Sequence, residues 1–221
     1  MKNLIIFIMI YIFNFSYAQA EVIATFPQDD GKNAVTANVY FTATVTQKSV
    51  AELGDAFNQL SIKYPSLKGI NLVINSPGGS AFDGLLAYAI VKGSSVPVRA
   101  INGGMTASAA TFIYCAAGER QALPGSLFLL HAAASDAMGS KPDEIMRVLA
   151  TLEHLHKFGK DVYSKCTSMS DDEIETIFKT EYFAKFLDDQ QASDIKLSNQ
   201  TVEAIPQPDI SIFILDKETS N

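Results

Sequence analysis

Basic side chains are scarce in this sequence, and so are the residue types that bind metals. The 17 lysines and arginines are outnumbered by 24 aspartates and glutamates, for a formal net charge of −7 at pH 7. Because phosphate binding needs a basic face, this shortage predicts that nucleic acid is not a partner. The three histidines and two cysteines form no cluster at metal-ligand spacing, so we predict no metal site.

Cysteine is limited to Cys115 and Cys166. The two could pair in an oxidising compartment, but a sequence cannot show whether they meet. Cys115 lies in the apolar stretch 112–117, which is typical of a buried thiol. We therefore expect Cys115 to be a buried, inert thiol.

Long hydrophobic runs are absent except near the N-terminus. Residues 4–15 are apolar apart from Asn14, and this run is shorter than the roughly 20 residues of a membrane-spanning helix. A lysine precedes the run and the small-residue tripeptide Ala18-Gln19-Ala20 follows it, an order typical of a secretory signal peptide. We predict cleavage after Ala20 and export across the inner membrane to the periplasm. Retention as an N-terminal membrane anchor is the alternative.

The rest of the chain has a globular composition, with 48% apolar and 19% charged residues over the whole sequence. No internal repeat or low-complexity segment interrupts it. A chain of 221 residues is long enough for one domain with a substantial core and too short for two of full size. We therefore predict a signal peptide over residues 1–20 and a single domain over residues 21–221.

Apolar patterning predicts strands and helices in alternation. Strands are predicted over residues 35–45, 67–74, 96–101, 127–130 and 209–215, and helices over 49–64, 82–91, 107–117 and 141–166. A further helix is expected to begin at Asp171, with Ser170 as its N-cap. Gly103-Gly104 is expected to form a turn into the helix at 107. This alternation predicts an α/β architecture with helices packed on sheets.

Three features could supply the chemistry of a serine nucleophile. Ser108 stands at a predicted helix start, where the first amides have no partner within the helix. His131 ends an apolar strand, and Gly78-Gly79 would let the backbone approach a substrate closely. A hydroxyl needs a base, an orienting group and amides for the oxyanion. Alone, each feature is more often a helix cap, a half-buried side chain or a turn.

The segments around these residues have a family resemblance. Residues 74–80 (INSPGGS), 102–110 (NGGMTASAA) and 123–126 (LPGS) with the following Leu129-Leu130-His131 stand in a characteristic order. Together they resemble the proteolytic subunit of the Clp protease family over roughly residues 69–195. The resemblance implies the ClpP/crotonase-like α/β spiral of repeated ββα units and a serine peptidase without a cofactor.

Site roles follow from the same resemblance. It implies that Ser108 is the nucleophile and His131 the general base. The backbone amides of Gly79 and Ala109 would form the oxyanion hole, with Gly78 in the substrate-binding loop.

The third member of the triad is less evident from the sequence. Glu181 aligns with the position at which the family has an aspartate. A glutamate can orient an imidazole, although an ordinary solvated acid is the alternative. Asp136 and Asp171 are the other candidates. His154 and His156 lie off the apolar stripe of the long helix and are expected to be solvated.

The function implied is hydrolysis of short or unfolded peptides through an acyl-enzyme. Cytoplasmic members of the family depend on an ATP-driven unfoldase, but we expect no ATPase partner outside the cytoplasm, where ATP is absent. The family also implies a homo-oligomer, with the apolar stripe over residues 145–162 as a candidate interface. The alternatives are a catalytically silent peptide-binding or scaffold protein, and a signal-peptide-peptidase-like Ser-Lys hydrolase with Lys68 or Lys92 as base.

Overall fold

The computed structural model describes residues 19–25, 33–134 and 141–217. Most of the predicted signal peptide and the candidate acid Asp136 lie outside these ranges. The strands are β1 Gln19–Thr25, β2 Thr36–Thr42, β3 Gly69–Ser76, β4 Val98–Ala107, β5 Glu119–Ala122, β6 Leu127–Leu130, β7 Lys185–Asp188, β8 Gln200–Thr201 and β9 Ile210–Lys217. The helices are α1 Gln47–Lys63, α2 Ala81–Lys92, α3 Ala109–Ala116, α4 Pro142–Cys166, α5 Asp171–Ile177 and α6 Asp189–Asp194, with a 3-10 turn at Glu181–Phe183.

The strands form one connected sheet in the order β1-β9-β2-β3-β4-β5-β8. All neighbours along β9-β2-β3-β4-β5-β8 are parallel, and β1 is antiparallel to β9. β3 is buried along nearly its whole length, which explains its almost continuous apolar sequence. Because the central strands are parallel, their carboxyl ends all lie at the same edge of the sheet.

β4 changes partners halfway along its length. Its first half pairs with β5 and its second half with β6, which in turn pairs with β7. The turn expected at Gly103-Gly104 is wrong, because the strand continues through both glycines to Ala107. A Cβ atom at Gly103 would lie 2.8 Å from Val73 Cγ1, and one at Gly104 2.9 Å from Asn75 Oδ1. These glycines therefore allow close packing against β3 rather than a change of direction.

The long helix α4 has two halves with different environments. Its second half packs into the core through Leu155, Val162 and Tyr163, which are all buried. In its first half, the apolar residues Ile145, Met146 and Leu149 are exposed. The second half of the predicted apolar stripe is thus part of the core, and the first half is exposed on the surface of the described structure.

The histidines of α4 also differ from each other. His154 is exposed, as expected. The expectation for His156 is wrong: its side chain is half-buried, its ring lies 5.4 Å from that of Phe178, and its Nε2 is 3.0 Å from the carbonyl oxygen of Ala133. Packing of Phe178, the residue after α5, against this face of α4 partly shields His156 from solvent.

Cys115 and Cys166 form a disulfide, with their Cα atoms 5.5 Å apart. The expectation of a free thiol at Cys115 is therefore wrong. The last turn of α3 meets the last turn of α4, a contact between segments 51 residues apart that apolar patterning does not reveal. The disulfide ties together the C-terminal ends of α3 and α4.

Several helices begin where a side chain caps the backbone. Thr46 and Ser80 accept hydrogen bonds from amides in the first turns of α1 and α2. The predicted N-cap at Ser170 is confirmed, since it forms a reciprocal capping box with Glu173. None of the helices in the described part of the chain is both long and apolar enough to cross a membrane.

Candidate active site

The carboxyl ends of three neighbouring strands bring the candidate residues together. The loop with Gly78-Gly79 follows β3, Ser108 follows β4 and His131 follows β6. β4 and β6 are parallel, with Ala107 opposite Leu129. The amide of Ser108 donates to the carbonyl oxygen of Leu129 over 2.8 Å. Parallel pairing therefore places the hydroxyl and the imidazole at the same edge of the sheet.

Ser108, His131 and Glu181 form a continuous hydrogen-bonded chain. His131 Nε2 lies 2.7 Å from Ser108 Oγ, and His131 Nδ1 lies 2.9 and 3.1 Å from the two carboxylate oxygens of Glu181. An ionised carboxylate can only accept, so Nδ1 carries the proton and Nε2 of the neutral ring is free to accept from the serine hydroxyl. This tautomer is the one that can remove the hydroxyl proton.

The backbone of Ser108 has a conformation that is unusual for a residue with a side chain. Its φ is 54° and its ψ is −127°, where residues other than glycine are rare. Ser108 precedes the first turn of α3, yet its side chain makes no capping hydrogen bond. The simple interpretation of Ser108 as a helix cap thus fails, and its hydroxyl is directed to His131 instead.

Two residues that the sequence analysis did not single out hold the carbonyl group of Ser108. Thr111 Oγ1 donates to that carbonyl oxygen over 2.6 Å and lies 2.8 Å from the hydroxyl of Tyr163. The one hydroxyl hydrogen of Thr111 goes to Ser108, so Tyr163 is the donor to Thr111. Burial raises the pKa of Tyr163, which keeps its phenol protonated. This buried relay connects α4 to the strained backbone at Ser108.

The Pro-Gly-Gly loop lies against the start of α3. Gly78 has a φ of 88°, and a Cβ atom there would lie 2.6 Å from Ser108 Cβ and 3.1 Å from the amide nitrogen of Ala109. A side chain at this position would therefore collide with the backbone beside Ser108. Glycine is required by this close approach, and it makes the loop and the first amide of α3 immediate neighbours.

The orientation of the Gly79 peptide is fixed by Val45. The amide of Val45 donates to the carbonyl oxygen of Gly78 over 2.7 Å, and its carbonyl oxygen accepts from the amide of Ser80 over 2.9 Å. In such a parallel bridge the polar groups of the middle residue, Gly79, point away from Val45. The amide of Ala109 is likewise unpartnered within its helix, because it is the first residue of α3.

Glu181 reaches His131 because β7 pairs with β6. The pairing places Lys185 opposite Leu130, so the 3-10 turn just before β7 comes next to the end of β6. Two-thirds of the Glu181 side chain is exposed, whereas the His131 side chain is largely buried. Glu181 is thus the most solvent-exposed of the three hydrogen-bonded residues.

The alternative acids and bases lie elsewhere in the described structure. Asp171 is the first residue of α5 and lines a small surface cavity with Lys160. Lys68 and Lys92 line a different cavity at the amino ends of β3 and β4, whereas Ser108 follows the far end of β4, roughly 30 Å away along that strand. Neither lysine is within reach of the serine hydroxyl.

A cavity of about 510 Å³ opens beside Ser108 and His131. Its wall is largely apolar and comes from α2, from the segment after His131 and from one face of α4. The lining residues include Phe82, Ala133, Val148, Leu152 and Leu155, with Arg147 and Thr151 adding polar groups. The contribution of α4 to this cavity could not be predicted from the sequence, because its apolar stripe is equally typical of any helix packed on a core.

The arrangement can support acyl transfer by a hydroxyl. The imidazole can take the hydroxyl proton, the carboxylate can orient the imidazole, and two free backbone amides border the serine. Within the described ranges, no group of three or more His, Cys, Asp or Glu side chains could hold a metal ion.

Comparisons with known proteins agree with this geometry. A family model described as Clp protease matches residues 33–204. The ATP-dependent Clp protease proteolytic subunit of Ligilactobacillus salivarius is 34% identical over 134 residues, covering 60% of this chain and 66% of the relative. The protein of the same name from Bacteroides fragilis is 35% identical over 99 residues, covering 44% of this chain and 46% of the relative. The chain thus spans about half to two-thirds of the length of these curated relatives.

A solved structure supports the fold. A point mutant of ClpP1 from Listeria monocytogenes superposes with a TM-score of 0.65 at 20% identity, covering 76% of this chain and 91% of the other. The predicted ClpP-like α/β fold class is therefore confirmed. Strands β1 and β9 lie outside the segment matched by the family model.

Proposed function

Because the chain belongs to the Clp protease family, we propose that it is a serine peptidase that cleaves peptide bonds through an acyl-enzyme intermediate. One observation carries the proposal: the unbroken chain of hydrogen bonds from Ser108 through His131 to Glu181. The strained backbone of Ser108 and the apolar cavity beside it add support.

The reaction follows from the roles these groups can take. Ser108 Oγ attacks the substrate carbonyl while its proton moves to His131 Nε2, and Glu181 stabilises the resulting imidazolium. The amides of Gly79 and Ala109 donate to the oxyanion of the tetrahedral intermediate. His131 then protonates the leaving amine, the C–N bond breaks, and a water molecule activated by the same imidazole hydrolyses the ester.

The substrates we propose are short or unfolded peptides. An extended peptide can lie along the Gly78 loop, with one side chain entering the cavity walled by Phe82, Val148 and Leu155. The named relatives are ATP-dependent. We propose that this chain works without an ATPase, because we also propose, from its N-terminal sequence, that it lies outside the cytoplasm. A folded protein would then not be a substrate.

We propose an extracytoplasmic location on two grounds. The first 20 residues have the features of a signal peptide. The Cys115–Cys166 disulfide adds support, because disulfides persist in oxidising compartments and are rare in the cytoplasm. Mass spectrometry of the exported protein should find Glu21 as its first residue, and an intact Met1 in the membrane fraction would support an anchor.

We also propose a homo-oligomer. The curated relatives are named as subunits, and the first half of α4 exposes Ile145, Met146 and Leu149. Such a cluster of large apolar side chains is more often an interface than free surface. A monomeric mass by light scattering at micromolar concentration would contradict this proposal.

An active-site label tests the peptidase proposal directly. The mature protein is treated with a fluorophosphonate and digested, and the modified residue is mapped by mass spectrometry. We expect modification at Ser108 alone, and none in His131→Ala, because the hydroxyl needs its base to react. Failure of the wild type to react, or equal labelling of several surface serines, would favour a silent peptide-binding or scaffold protein.

A further inference from the structure

The C-terminal strand reaches the candidate oxyanion loop from outside the family-matched segment. β9 lies beyond residue 204, where the family match ends, yet it is inserted between β1 and β2. Its pairing with β2 is parallel and runs from Ala37 opposite Ile210 to Thr42 opposite Leu215. The next residue of β9, Asp216, therefore stands beside the point where β2 ends.

Asp216 holds the chain just after β2 by two hydrogen bonds. One of its carboxylate oxygens, Oδ2, accepts from the amide of Thr44 over 2.9 Å and from the Thr44 hydroxyl over 2.8 Å. Both bonds are charge-assisted, which makes them stronger than bonds between neutral groups. The carbonyl oxygen of Thr44 accepts from Ser49 Oγ over 2.7 Å, so both polar groups of this peptide segment are held.

Thr44 and Val45 in turn fix the peptide of Gly79. Val45 makes the two backbone bonds that flank Gly79, to Gly78 and Ser80. A Cβ atom at Gly79 would lie 2.3 Å from the carbonyl oxygen of Val45 and 3.1 Å from the methyl carbon of Thr44. The glycine backbone is therefore pressed against Thr44 and Val45, and any shift of these two residues would move the Gly79 amide.

We propose that Asp216 is a positioning residue for the reaction: through Thr44 and Val45 it holds the Gly79 amide where the oxyanion develops. The inference rests on the proposed peptidase function. Amides in an oxyanion hole must be placed before the reaction, since their contribution comes from fixed geometry. The C-terminal strand β9 lies outside the family-matched segment, and through Asp216 it thus helps to hold the Gly79 amide in place.

The other end of β9 supplies a matched control. Asp209, just before the strand, accepts through Oδ2 from the amides of Val35 and Thr36, each over 2.9 Å. It therefore fastens β9 to the start of β2 in the way that Asp216 fastens it to the end. Asp209 stands at the amino end of these strands, remote from the Gly79 loop. Loss of either carboxylate weakens the attachment of β9, but only Asp216 is linked to the loop.

The experiment compares Asp216→Ala with Asp209→Ala in the mature chain. Backbone amide hydrogen exchange at Val45 and Ser80, whose amides make the bonds around Gly79, is measured with turnover of a chromogenic peptide. In Asp216→Ala we expect about tenfold faster exchange at both amides and about tenfold lower kcat, less than the roughly 10² to 10³ lost with an entire oxyanion donor. KM should stay within about twofold, because no residue of β9 lines the cavity.

Rescue separates positioning from general destabilisation. Asp216→Asn keeps an oxygen that can accept from Thr44 and should recover most of kcat, whereas Asp209→Ala should leave both exchange and kcat close to wild type. Should Asp216→Ala not fold, Thr44→Val removes one of the two bonds and should give a smaller change in the same direction.

Equal exchange rates or equal kcat in the two aspartate variants would overturn the inference. Wild-type hydrolysis that does not depend on Ser108 would instead refute the peptidase, while hydrogen exchange would still decide whether Asp216 holds the loop.

Discussion

Each end of the parallel sheet carries a cavity with several polar groups in its lining, but the two sets of polar groups are arranged differently. At the amino end the cavity is about 600 Å³ and is lined by Lys68, Lys92 and Arg99 among others. At the carboxyl end it is about 510 Å³ and borders Ser108 and His131. Size alone would favour the amino end as the functional site.

The difference lies in what the polar groups bind. At the amino end they bind one another across neighbouring strands: Asn71 donates to Asn38 over 2.8 Å, and Arg99 bonds to Asn71 over 3.2 Å and to Glu119 over 2.9 Å. At the carboxyl end Ser108, in a strained conformation, presents its hydroxyl to His131. Beside it are the amide of Gly79, which points away from Val45, and the first amide of α3. The arrangement of the polar groups, and not the size of the cavity, therefore indicates the candidate site.

The largest expected effect is the loss of the base at the carboxyl end. His131→Ala should lower kcat for peptide hydrolysis by about 10⁴ or more, because among the residues that the structure describes only the His131 ring lies within hydrogen-bonding distance of the Ser108 hydroxyl. His154→Ala is the matched control, since His154 is exposed on α4 and should leave turnover unchanged. Steady-state kinetics with circular dichroism as a folding check measures both. Equal turnover in the two variants would remove His131 from the mechanism.

Changes at Glu181 should have the next largest effect. Glu181→Gln should lower kcat by roughly 10² to 10⁴, since the imidazolium loses its counter-charge. Glu181→Asp should also lose at least about tenfold, because both carboxylate oxygens already lie within 3.1 Å of His131 and a shorter side chain would withdraw them. The same kinetic assay distinguishes the two. Full activity of Glu181→Gln would mark this exposed carboxylate as an ordinary solvated acid.

The disulfide should affect stability more than turnover. Replacing Cys115 and Cys166 together with alanine should lower the free energy of unfolding by about 2 to 4 kcal/mol, chiefly because the unfolded chain gains freedom. Ser108 keeps its bonds to Leu129 and Thr111, so kcat well below the melting temperature should change little. Denaturant titration provides the stability measurement. An unchanged unfolding midpoint would contradict this account.

The smallest effect is expected at the amino end of the sheet. Arg99→Ala removes a half-exposed guanidinium that bonds to Asn71 and Glu119, and should cost about 1 kcal/mol of stability. Turnover should stay within about twofold of wild type, because these groups bind one another and lie far from Ser108. A tenfold loss of kcat in a folded Arg99→Ala variant would break the distinction between the two ends.

Much of the fold could be predicted from the sequence because the central strands are long and apolar. β2, β3, β6 and the helix α4 lie within a few residues of their predicted positions. The strands β5, β7 and β8 were missed, since they are short and carry polar residues that only their neighbours in the sheet make extended. β1 is not predicted either: its first two residues fall in the predicted signal peptide, and no element is predicted for residues 21–25.

The candidate site was predicted through motifs rather than patterning. Ser108, His131 and Glu181 are far apart in sequence, and only the resemblance suggested that they meet, which the geometry supports. The contacts of His156, Thr111 and Asp216 could not be predicted, because each depends on packing between segments with no shared motif. The same holds for the pairing of Cys115 with Cys166.

The central claim is that Ser108, His131 and Glu181 act as one unit, and a double variant tests it most directly. Turnover of a peptide substrate is measured for the wild type, Ser108→Ala, His131→Ala and Ser108→Ala/His131→Ala, in preparations free of other proteases. Each single variant should lose about 10⁴ or more in kcat, and the double variant should lose no more than either, because losses within a triad are not additive. Wild-type turnover in Ser108→Ala, or losses that multiply in the double variant, would contradict the account.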